Sequence, residues 1–385
     1  MNKKNITFLD LAGHDFPGGC EKYFSILAKH FSSKNIVYFV ESTQYVSFME
    51  RFYHILSGHR VGTIDYVKRD IGKGKIINLS FLSLFPFSNE NRKIRSILNL
   101  SDIIYSKNEF QELLLLYYLL GKKKFSEKVI IGIHSAIFVP ESVRGVWKFI
   151  HDLQYNSLIY KKFLKSAKFI HTINSDDEIR INSYYEVDKN KIKYIPYFID
   201  WKTVLSKRRN NKKFIILWAG RLTLQKGIDR LNLIIDALLE DKASSNIEFW
   251  IAGGGEDLET VRKLEKKYKN VKFLGFIDNI LKLYPKVNLA IVTSYFETFG
   301  YNVLEPQSFG IPVVCFDIEG PRDIVLQSKT GYLVKDNNEF IVRVNNIYMN
   351  KTKLINSKRI FNMINKRFSK EKIIEEMERK LLTND

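Results

Sequence analysis

The chain has 385 residues, of which 45% are hydrophobic and 27% charged, and no low-complexity tract interrupts it. This length and composition favour two or three globular domains and exclude a largely disordered protein. The two cysteines, Cys20 and Cys315, exclude a disulfide framework and a cysteine-based metal cluster, and they favour a reducing compartment.

The chain is strongly basic, with 61 lysines and arginines against 42 acidic residues and a formal net charge of +19. Such a charge is compatible with nucleic acid, an anionic membrane or phosphate-bearing substrates. Basic clusters occur at residues 122–124, 161–162 and 207–213. Because no nucleic-acid-binding motif accompanies them, we predict no nucleic-acid partner. An anionic membrane surface is favoured, although a cytosolic enzyme that binds acidic glycans would have a similar charge.

Residues 1–10 have a basic start and a brief apolar stretch broken by Asp10, which predicts a first strand and not a signal peptide. The longest apolar run, residues 113–120, has eight residues and is far shorter than the roughly 20 needed to span a bilayer. We therefore expect a cytoplasmic protein that is soluble or peripheral at the membrane.

The first half of the chain alternates predicted strands and helices. Strands are predicted at residues 6–9, 36–40, 76–79, 103–105, 128–134, 169–173 and 192–195. Helices are predicted at residues 20–31, between the third and fourth strands, and from about 141 to 166. Strands separated by helices predict a parallel sheet with right-handed crossovers, as in a Rossmann-like domain.

Pro196 and the basic run at 207–213 mark a hinge, after which the strand and helix pattern restarts. Strands are predicted at residues 213–219, 247–252, 271–274, 289–293 and 313–316. Near the C-terminus, Ser369 precedes Glu371 and an apolar stripe, which predicts a capped helix. The predicted division is a first domain at 1–200, a second at 201–368 and a C-terminal helix at 369–385.

The most informative segment runs from Glu297 to Glu305, two carboxylates with seven residues between them on either side of Gly300. The β-branched run at 289–294 predicts a buried strand before the segment. A helix then follows and must end near Gly310, since Pro312 cannot continue it. Strand ends and helix N-termini bind phosphate, and two carboxylates accept hydroxyl groups. That combination suits a sugar nucleotide.

Arg221 and Lys226 follow another predicted strand and lie five residues apart. Positioned cations stabilise the charge that develops on a leaving nucleoside diphosphate. A metal-dependent alternative would require an Asp-x-Asp near a strand end, and the sequence has none. Two surface cations after a strand are common by themselves, so the surrounding segments decide in favour of phosphate.

Gly18 and Gly19 lie in the turn between the first strand and first helix, where glycine lets the backbone approach a diphosphate closely. An ordinary flexible loop is the alternative. His134 ends a predicted strand of the first domain. A lone histidine at such a position is usually structural.

Several ordered segments resemble one family. The 297–305 segment resembles the Glu-x7-Glu motif of family-4 retaining glycosyltransferases, which have the two-domain GT-B fold. Further resemblances lie at residues 17–23, 219–227, 250–255, 271–278 and 330–334. The resemblance is close from about 212 to 335 and patchier before that.

The resemblance implies an α/β protein with the GT-B fold. Two Rossmann-like domains would face an interdomain cleft, and the C-terminal helix would cross back to the N-terminal domain. It also implies a retaining, metal-independent hexosyltransferase with a nucleotide-diphosphate sugar as donor and no cofactor. In the front-face mechanism usually proposed for the family, the leaving phosphate itself accepts the acceptor proton.

The resemblance also assigns roles to individual residues. Glu305 is expected to accept from ribose hydroxyls, whereas Glu297 and His134 orient the donor sugar. Arg221 and Lys226 would stabilise the diphosphate. The remaining donor-binding residues are Gly18, Gly19, Ile277, Phe299, Gly300 and Tyr301. Two residues depart from the family pattern: Tyr197 replaces an asparagine, and Pro306 replaces an alanine in what we expect to be the first helical turn.

The expected acceptor is a hydroxyl of a lipid-linked or growing surface-glycan intermediate at the cytoplasmic membrane face. Two alternatives are a nucleotide-sugar epimerase of the same fold and a noncatalytic basic scaffold that binds membrane or nucleic acid. The aromatic and basic residues at 141–166 suit an interfacial helix, and a core helix with a solvated face equally. UDP, GDP and ADP remain open as the nucleotide, as do the sugar, the linkage and the oligomeric state.

Overall fold

The computed structural model describes residues 3–11, 19–42, 69–79, 91–138, 146–205, 213–240, 246–352 and 355–382. The chain forms two compact units. Unit 1 contains Met1–Ile195 together with Ile374–Asp385, and unit 2 contains Pro196–Ile373.

Within the described residues, unit 1 contains a sheet of seven parallel strands in the order β3-β2-β1-β4-β5-β6-β7. The strands are β1 Asn5–Leu9, β2 Ile36–Glu41, β3 Lys75–Asn78, β4 Ile103–Ser106, β5 Val129–Ile133, β6 Phe169–Thr172 and β7 Ile192–Tyr194. The order reverses between β1 and β4, where Leu9 lies opposite Ser106. Parallel sheets with such a reversal bind ligands beyond the carboxyl ends of those two strands.

The helices of unit 1 lie between its strands, as the alternating pattern predicted. They are α1 Gly19–Phe31, α2 Asn91–Leu100, α3 Phe110–Lys128, α4 Val146–Tyr155, α5 Leu158–Ser166 and α6 Ser175–Tyr185. Helix α3 is kinked at Gly121, whose φ is 68°.

The prediction of one long helix from about 141 to 166 is wrong over its described part. Two helices, α4 and α5, occupy it and meet at Asn156 and Ser157. Ser157 has extended backbone angles, and its side chain accepts a hydrogen bond from the Tyr160 amide at 3.1 Å. Serine is a preferred N-cap because it satisfies an otherwise unpaired amide, so it starts a new helix here. Residues 141–145 lie outside the described residues.

Unit 2 contains, within its described residues, a second parallel sheet of six strands in the order β10-β9-β8-β11-β12-β13. The strands are β8 Phe214–Ala219, β9 Ile247–Ala252, β10 Val271–Gly275, β11 Leu289–Val292, β12 Val313–Phe316 and β13 Gly331–Val334. The helices are α7 Ile228–Leu239, α8 Leu258–Lys267, α9 Tyr301–Ser308, α10 Pro321–Ile324, α11 Asn337–Tyr348 and α12 Ser357–Arg367. Helix α13, Lys370–Met377, begins in unit 2 and ends in unit 1, since unit 2 ends at Ile373. In the sheet of unit 2 the order reverses between β8 and β11.

The central strands of both sheets are buried on both faces, which explains their continuous apolar sequences. Every residue of β4, β5, β11 and β12 is buried. These strands present only backbone and strand-end residues to a ligand. The chemistry of each unit must therefore lie in the loops that follow the strands.

The C-terminal segment returns to unit 1, as the fold prediction required. A π-helical turn, Glu378–Leu382, continues α13. The Tyr23 hydroxyl of α1 donates to the sulfur of Met377 at 3.1 Å, and His30 lies 3.3 Å from the Glu378 carboxylate. Among the described residues, none of the helices is both long and apolar enough to span a bilayer.

Candidate active site

The candidate site of unit 2 is centred on the Glu297 carboxylate, in the loop between β11 and α9. Three side chains donate to its Oε1: Lys226 at 2.6 Å, Ser294 at 2.8 Å and Asn302 at 3.2 Å. Among the described residues, Oε2 of Glu297 makes no hydrogen bond. One carboxylate oxygen thus fixes the side chain, and the other can accept a ligand hydroxyl.

Lys226 and Glu297 form an ion pair whose side chains are 16% and 9% exposed. The sequence predicted both residues but gave them separate tasks, phosphate for the lysine and sugar for the glutamate. The structure brings them into direct contact. Each therefore positions the other, and a charge placed beside the lysine also affects the carboxylate.

Glycine allows the Lys226 loop to pack directly against the end of β11. Gly227 has φ of 69°, and a Cβ there would lie 2.0 Å from the carbonyl oxygen of Thr293. The Thr293 hydroxyl donates to the Lys226 carbonyl at 2.9 Å and accepts from the Trp218 indole at 2.9 Å. These bonds join the loop after β8 to the loop after β11, so the lysine and the carboxylate meet at one edge of the sheet.

Arg221 begins the same loop, and its side chain is exposed. The glycine-rich end of β9 packs against this segment. A Cβ on Gly253 would lie 1.8 Å from the Gly220 carbonyl oxygen, and one on Gly255 would lie 2.5 Å from that of Leu222. The glycines fix the backbone around Arg221 and leave its guanidinium able to reach an anion.

Gly300 is the N-cap of α9 and has a positive φ of 103°. The neighbouring Gly320 approaches closely, since a Cβ on it would lie 2.4 Å from the Phe299 carbonyl oxygen. Pro306 is the sixth residue of α9, so its expected place in the first turn is wrong. In the second turn proline removes a helical hydrogen bond, which is consistent with a helix of only eight residues.

Glu305 lies on α9 and accepts a hydrogen bond from the Tyr284 hydroxyl at 2.9 Å. Burial, followed by the negative charge of Glu305, raises the pKa of Tyr284 well above its usual range. The tyrosine therefore stays protonated and holds one oxygen of the carboxylate. The sequence identified Glu305 but not Tyr284, which lies in a short 3-10 turn, Tyr284–Lys286.

Aromatic side chains support the start of α9. Tyr197 stacks on Tyr301 with ring centroids 5.4 Å apart, and Phe299 lies 5.1 Å from Tyr197. Trp201 packs edge-on against Tyr301 and donates to the Ser308 hydroxyl at 2.9 Å. Tyr197, which departs from the family pattern, thus supports the predicted donor loop.

Ile277 follows β10 and is half-buried, beside Phe276, which is exposed. Gly275 precedes them with φ of 67° and turns the chain at the strand end. The structure places Ile277 on the same sheet edge as the Arg221 loop, since the Gly275 carbonyl accepts from the Gly253 amide at 2.8 Å.

His134 lies in unit 1, directly after β5, and is buried. Its Nε2 lies 3.1 Å from the Tyr105 hydroxyl, and that hydroxyl also contacts Nδ1 of His171. His171 Nε2 lies 2.7 Å from the Ile195 carbonyl, to which it must donate. Nδ1 of His171 then accepts from Tyr105, and Tyr105 accepts from His134. This chain of bonds fixes His134 with its proton on Nε2.

Both histidines are neutral at physiological pH. Burial, together with the neighbouring His171 and Lys107, lowers the pKa of His134 well below its usual range. Burial likewise lowers the pKa of His171 to about 4. A neutral His134 suits hydrogen bonding to a sugar hydroxyl, and it is poorly suited to donate a proton.

A cluster of charged residues lies at the order reversal of the first sheet, and the sequence reasoning missed it. The ammonium of Lys107 lies 2.7 Å from Asp10 and 2.8 Å from Glu21, and all three side chains are buried. Glu112 accepts from the Leu11 and Lys107 amides and from Ser106. The sequence feature that could have indicated this cluster is a lysine directly after an apolar strand.

Gly18 lies outside the described residues, whereas Gly19 is the first residue of α1, the helix that carries Glu21. Within the described ranges, no three histidine, cysteine, aspartate or glutamate side chains are grouped to hold a metal ion. Of the predicted site residues that the structure describes, His134 and Gly19 belong to unit 1, and the others belong to unit 2.

The fold is that of GT-B structures. Anabaena HepE, solved with UDP and glucose, matches with a TM-score of 0.70 over 98% of this chain and 99% of its own, at 18% identity. The α/β prediction of two Rossmann-like domains is thereby confirmed.

Residues 201–361 match the family model described as glycosyl transferases group 1. An uncharacterised glycosyltransferase of Methanocaldococcus jannaschii is 29% identical over 210 residues, 50% of this chain and 51% of its own length. A poly(glycerol-phosphate) alpha-glucosyltransferase of Bacillus subtilis is 39% identical over 124 residues, 31% of this chain and 18% of its own. The chain thus spans about half or less of these two relatives, and the matches support a glycosyltransferase family.

Proposed function

We propose that the chain is a retaining, metal-independent glycosyltransferase. It would move a hexosyl group from a nucleoside-diphosphate sugar to a hydroxyl of a lipid-linked or growing surface glycan. The observation that carries the proposal is the Lys226–Glu297 pair, held by Ser294 and Asn302 at the end of β11 beside the start of α9.

The cations of unit 2 suit the departing diphosphate. When the bond between the anomeric carbon and the phosphate oxygen breaks, negative charge develops on the leaving group. Arg221 and Lys226 lie in the loop after β8, and the amides of Phe299, Gly300 and Tyr301 lie at the start of the helix after β11, the neighbouring strand in the sheet. Helix N-termini attract phosphate, so both groups stabilise the same developing charge.

The carboxylates suit the rest of the donor. Oε2 of Glu297 can accept from a sugar hydroxyl while Lys226 holds Oε1. Glu305, steadied by Tyr284, can accept from a ribose hydroxyl. Ile277 would contact the base. HepE has been solved with UDP and glucose, which makes UDP-glucose the first donor to test.

The proposed transfer takes place in one step and requires no carboxylate nucleophile. The acceptor oxygen forms a bond to the anomeric carbon as the bond to the phosphate oxygen breaks, on the same face of the sugar. The acceptor proton passes to the departing phosphate, so the anomeric configuration is retained. Neutral His134 would hydrogen-bond the sugar beside the reacting carbon.

The acceptor class rests on relatives. The B. subtilis protein is named for glucosyl transfer to poly(glycerol-phosphate), a polymer whose phosphate groups are anionic. We place the reaction at the cytoplasmic membrane face for a comparable surface-glycan acceptor, and the net charge of +19 is consistent with an anionic acceptor or membrane.

A donor panel tests the proposal. The protein is incubated in EDTA with UDP-, GDP- and ADP-sugars and a lipid-linked or polymer acceptor. The masses of the products are then measured by mass spectrometry. We expect the acceptor mass to increase by one hexose, with release of nucleoside diphosphate. An epimerised nucleotide sugar without transfer would identify an epimerase instead, and neither product would favour a noncatalytic scaffold.

A further inference from the structure

The outward faces of α4 and α5 carry large apolar side chains. Phe149 and Leu153 on α4 are 69% and 67% exposed, and Leu158 and Ile159 at the start of α5 are 84% and 51% exposed. These four residues, here named the apolar corner, fall within eleven positions of the sequence. The outward face of a solvated helix is usually polar, so the corner has the opposite polarity to that expected.

The inner contacts of both helices fix this orientation. His151 Nε2 lies 2.9 Å from the Ala136 carbonyl, and Tyr155 packs edge-on against Tyr160 at 4.9 Å. Tyr160 in turn donates to the buried Asn108 side chain at 2.9 Å. Because these contacts anchor the inner faces, α4 and α5 cannot turn the apolar corner inward.

Lysines border the corner. Residues 146–168 contain five lysines and one aspartate. Lys161 and Lys165 share the single carboxylate of Glu186 at 2.9 Å each, so these three residues together carry a net charge of +1. Lys162 is exposed and lies over the Tyr117 ring at 5.2 Å. The outward face of α4 and α5 therefore carries exposed apolar side chains with positively charged lysines next to them.

We propose that this face docks onto an anionic lipid surface, with the apolar corner in the headgroup and acyl-chain boundary. An apolar wedge bordered by cations is typical of helices that lie in a membrane interface. Lys162 and Lys165 reach anionic headgroups, and the net charge of +19 favours the approach. A second copy docking symmetrically through the same face would bring these lysines against their own equivalents, which disfavours a dimer.

Vesicle flotation tests the proposal. The protein is mixed with vesicles of phosphatidylglycerol and phosphatidylcholine, or of phosphatidylcholine alone, at low salt. We expect flotation with the anionic vesicles only. The double variant Phe149→Gln/Leu153→Gln removes apolar area without changing charge or helix propensity greatly, and it should reduce partitioning about tenfold or more. Lys162→Gln/Lys165→Gln should reduce the preference for anionic lipid.

The matched control is Leu233→Gln/Val342→Gln, which replaces two exposed apolar residues on α7 and α11 of unit 2. It should float like the unmodified protein, and equal melting temperatures would show that all variants fold. Equal flotation of the Phe149→Gln/Leu153→Gln variant would overturn the proposal. So would a dimer in sedimentation velocity that this variant dissociates, because the face would then bind a second copy. Flotation measures lipid binding and requires no glycosyl transfer, so it tests membrane docking independently of the proposed reaction.

Discussion

Both units place a lysine and carboxylates beyond the carboxyl ends of parallel strands, but the two clusters differ in burial. In unit 2, Lys226 meets Glu297, and the lysine is 16% exposed. In unit 1, Lys107 is 8% exposed between Asp10 and Glu21. The first pair keeps a carboxylate oxygen for a ligand, whereas the second encloses its charges. Similar residue types beyond the strand ends thus leave an acceptor atom available in one sheet and are enclosed in the other.

The pKa values reflect the enclosure of the unit 1 cluster. Burial raises the pKa of Asp10 to about 6 and that of Glu112 to about 8. Burial opposes the charge of Lys107, but Asp10 and Glu21 raise its pKa well above the usual range. Lys107 is therefore charged at any physiological pH. Its removal would leave buried carboxylates without a cation.

The largest effect is expected from Lys107→Met, which keeps the side-chain shape and removes the charge. Breaking a buried ion pair from one side costs about 3–5 kcal/mol, so unfolding in urea, followed by circular dichroism, should shift by that amount. The matched variant Lys226→Met should cost about 1 kcal/mol, because Ser294 and Asn302 still hold Glu297. Equal losses in the two variants would abolish the distinction between the clusters.

Glu297→Gln should act on turnover and not on folding. Loss of one preorganised electrostatic group typically lowers kcat by about 100- to 1000-fold. Free nucleoside diphosphate should bind with nearly unchanged affinity, because the contact proposed for the carboxylate is with the sugar. Glu259→Gln, on the exposed face of α8, is the control and should retain full activity. A Glu297→Gln enzyme with normal kcat would remove the carboxylate from the mechanism.

Arg221→Ala should weaken nucleoside-diphosphate binding by about 1.5–3 kcal/mol, the range for a hydrogen bond to a charged group. The exposed guanidinium lies in the loop with Lys226, and its loss removes a cation without disturbing the core. Calorimetry in EDTA measures the affinity, with Arg262→Ala on α8 as the control. Unchanged affinity in Arg221→Ala would place the diphosphate elsewhere.

The smallest effect concerns pH. Because the folded pKa of Glu112 is raised to about 8, folding binds its proton, and the resulting stability is lost as pH rises toward 8. The pKa of His171 is lowered to about 4, so its contribution to the free energy of unfolding is lost only as pH falls below about 6.5. Between pH 6.5 and 8 the unfolding free energy should fall by about 1–2 kcal/mol. Glu112→Gln should flatten this slope in urea titrations, and an unchanged slope would exclude Glu112 as its source.

The residues of the candidate donor side could be selected from the sequence because they lie in the segments that follow strongly apolar strands. Arg221, Lys226, Glu297 and Glu305 all occupy such places. Their neutral partners, Ser294, Asn302 and Tyr284, were missed because their roles depend on which side chains approach in three dimensions. The Ser157 cap was present in the sequence, but the apolar residues on both sides suggested one continuous helix.

The unit 1 cluster was not predictable in the same way. Asp10, Glu21 and Lys107 are distant in sequence and meet only because β1 and β4 are neighbours in the sheet. His134 was identified from its strand end and the family resemblance. The placement of its proton on Nε2 depends on Tyr105 and His171 and follows only from the structure.

The central claim, retaining sugar transfer at the Lys226–Glu297 site, is tested most directly by the product's anomeric configuration. Once the donor panel identifies a substrate pair, the reaction is run in EDTA and followed by NMR. We predict that the new glycosidic bond keeps the anomeric configuration of the donor and that Glu297→Gln slows its formation. An inverted product, or transfer that requires a divalent cation, would contradict the account.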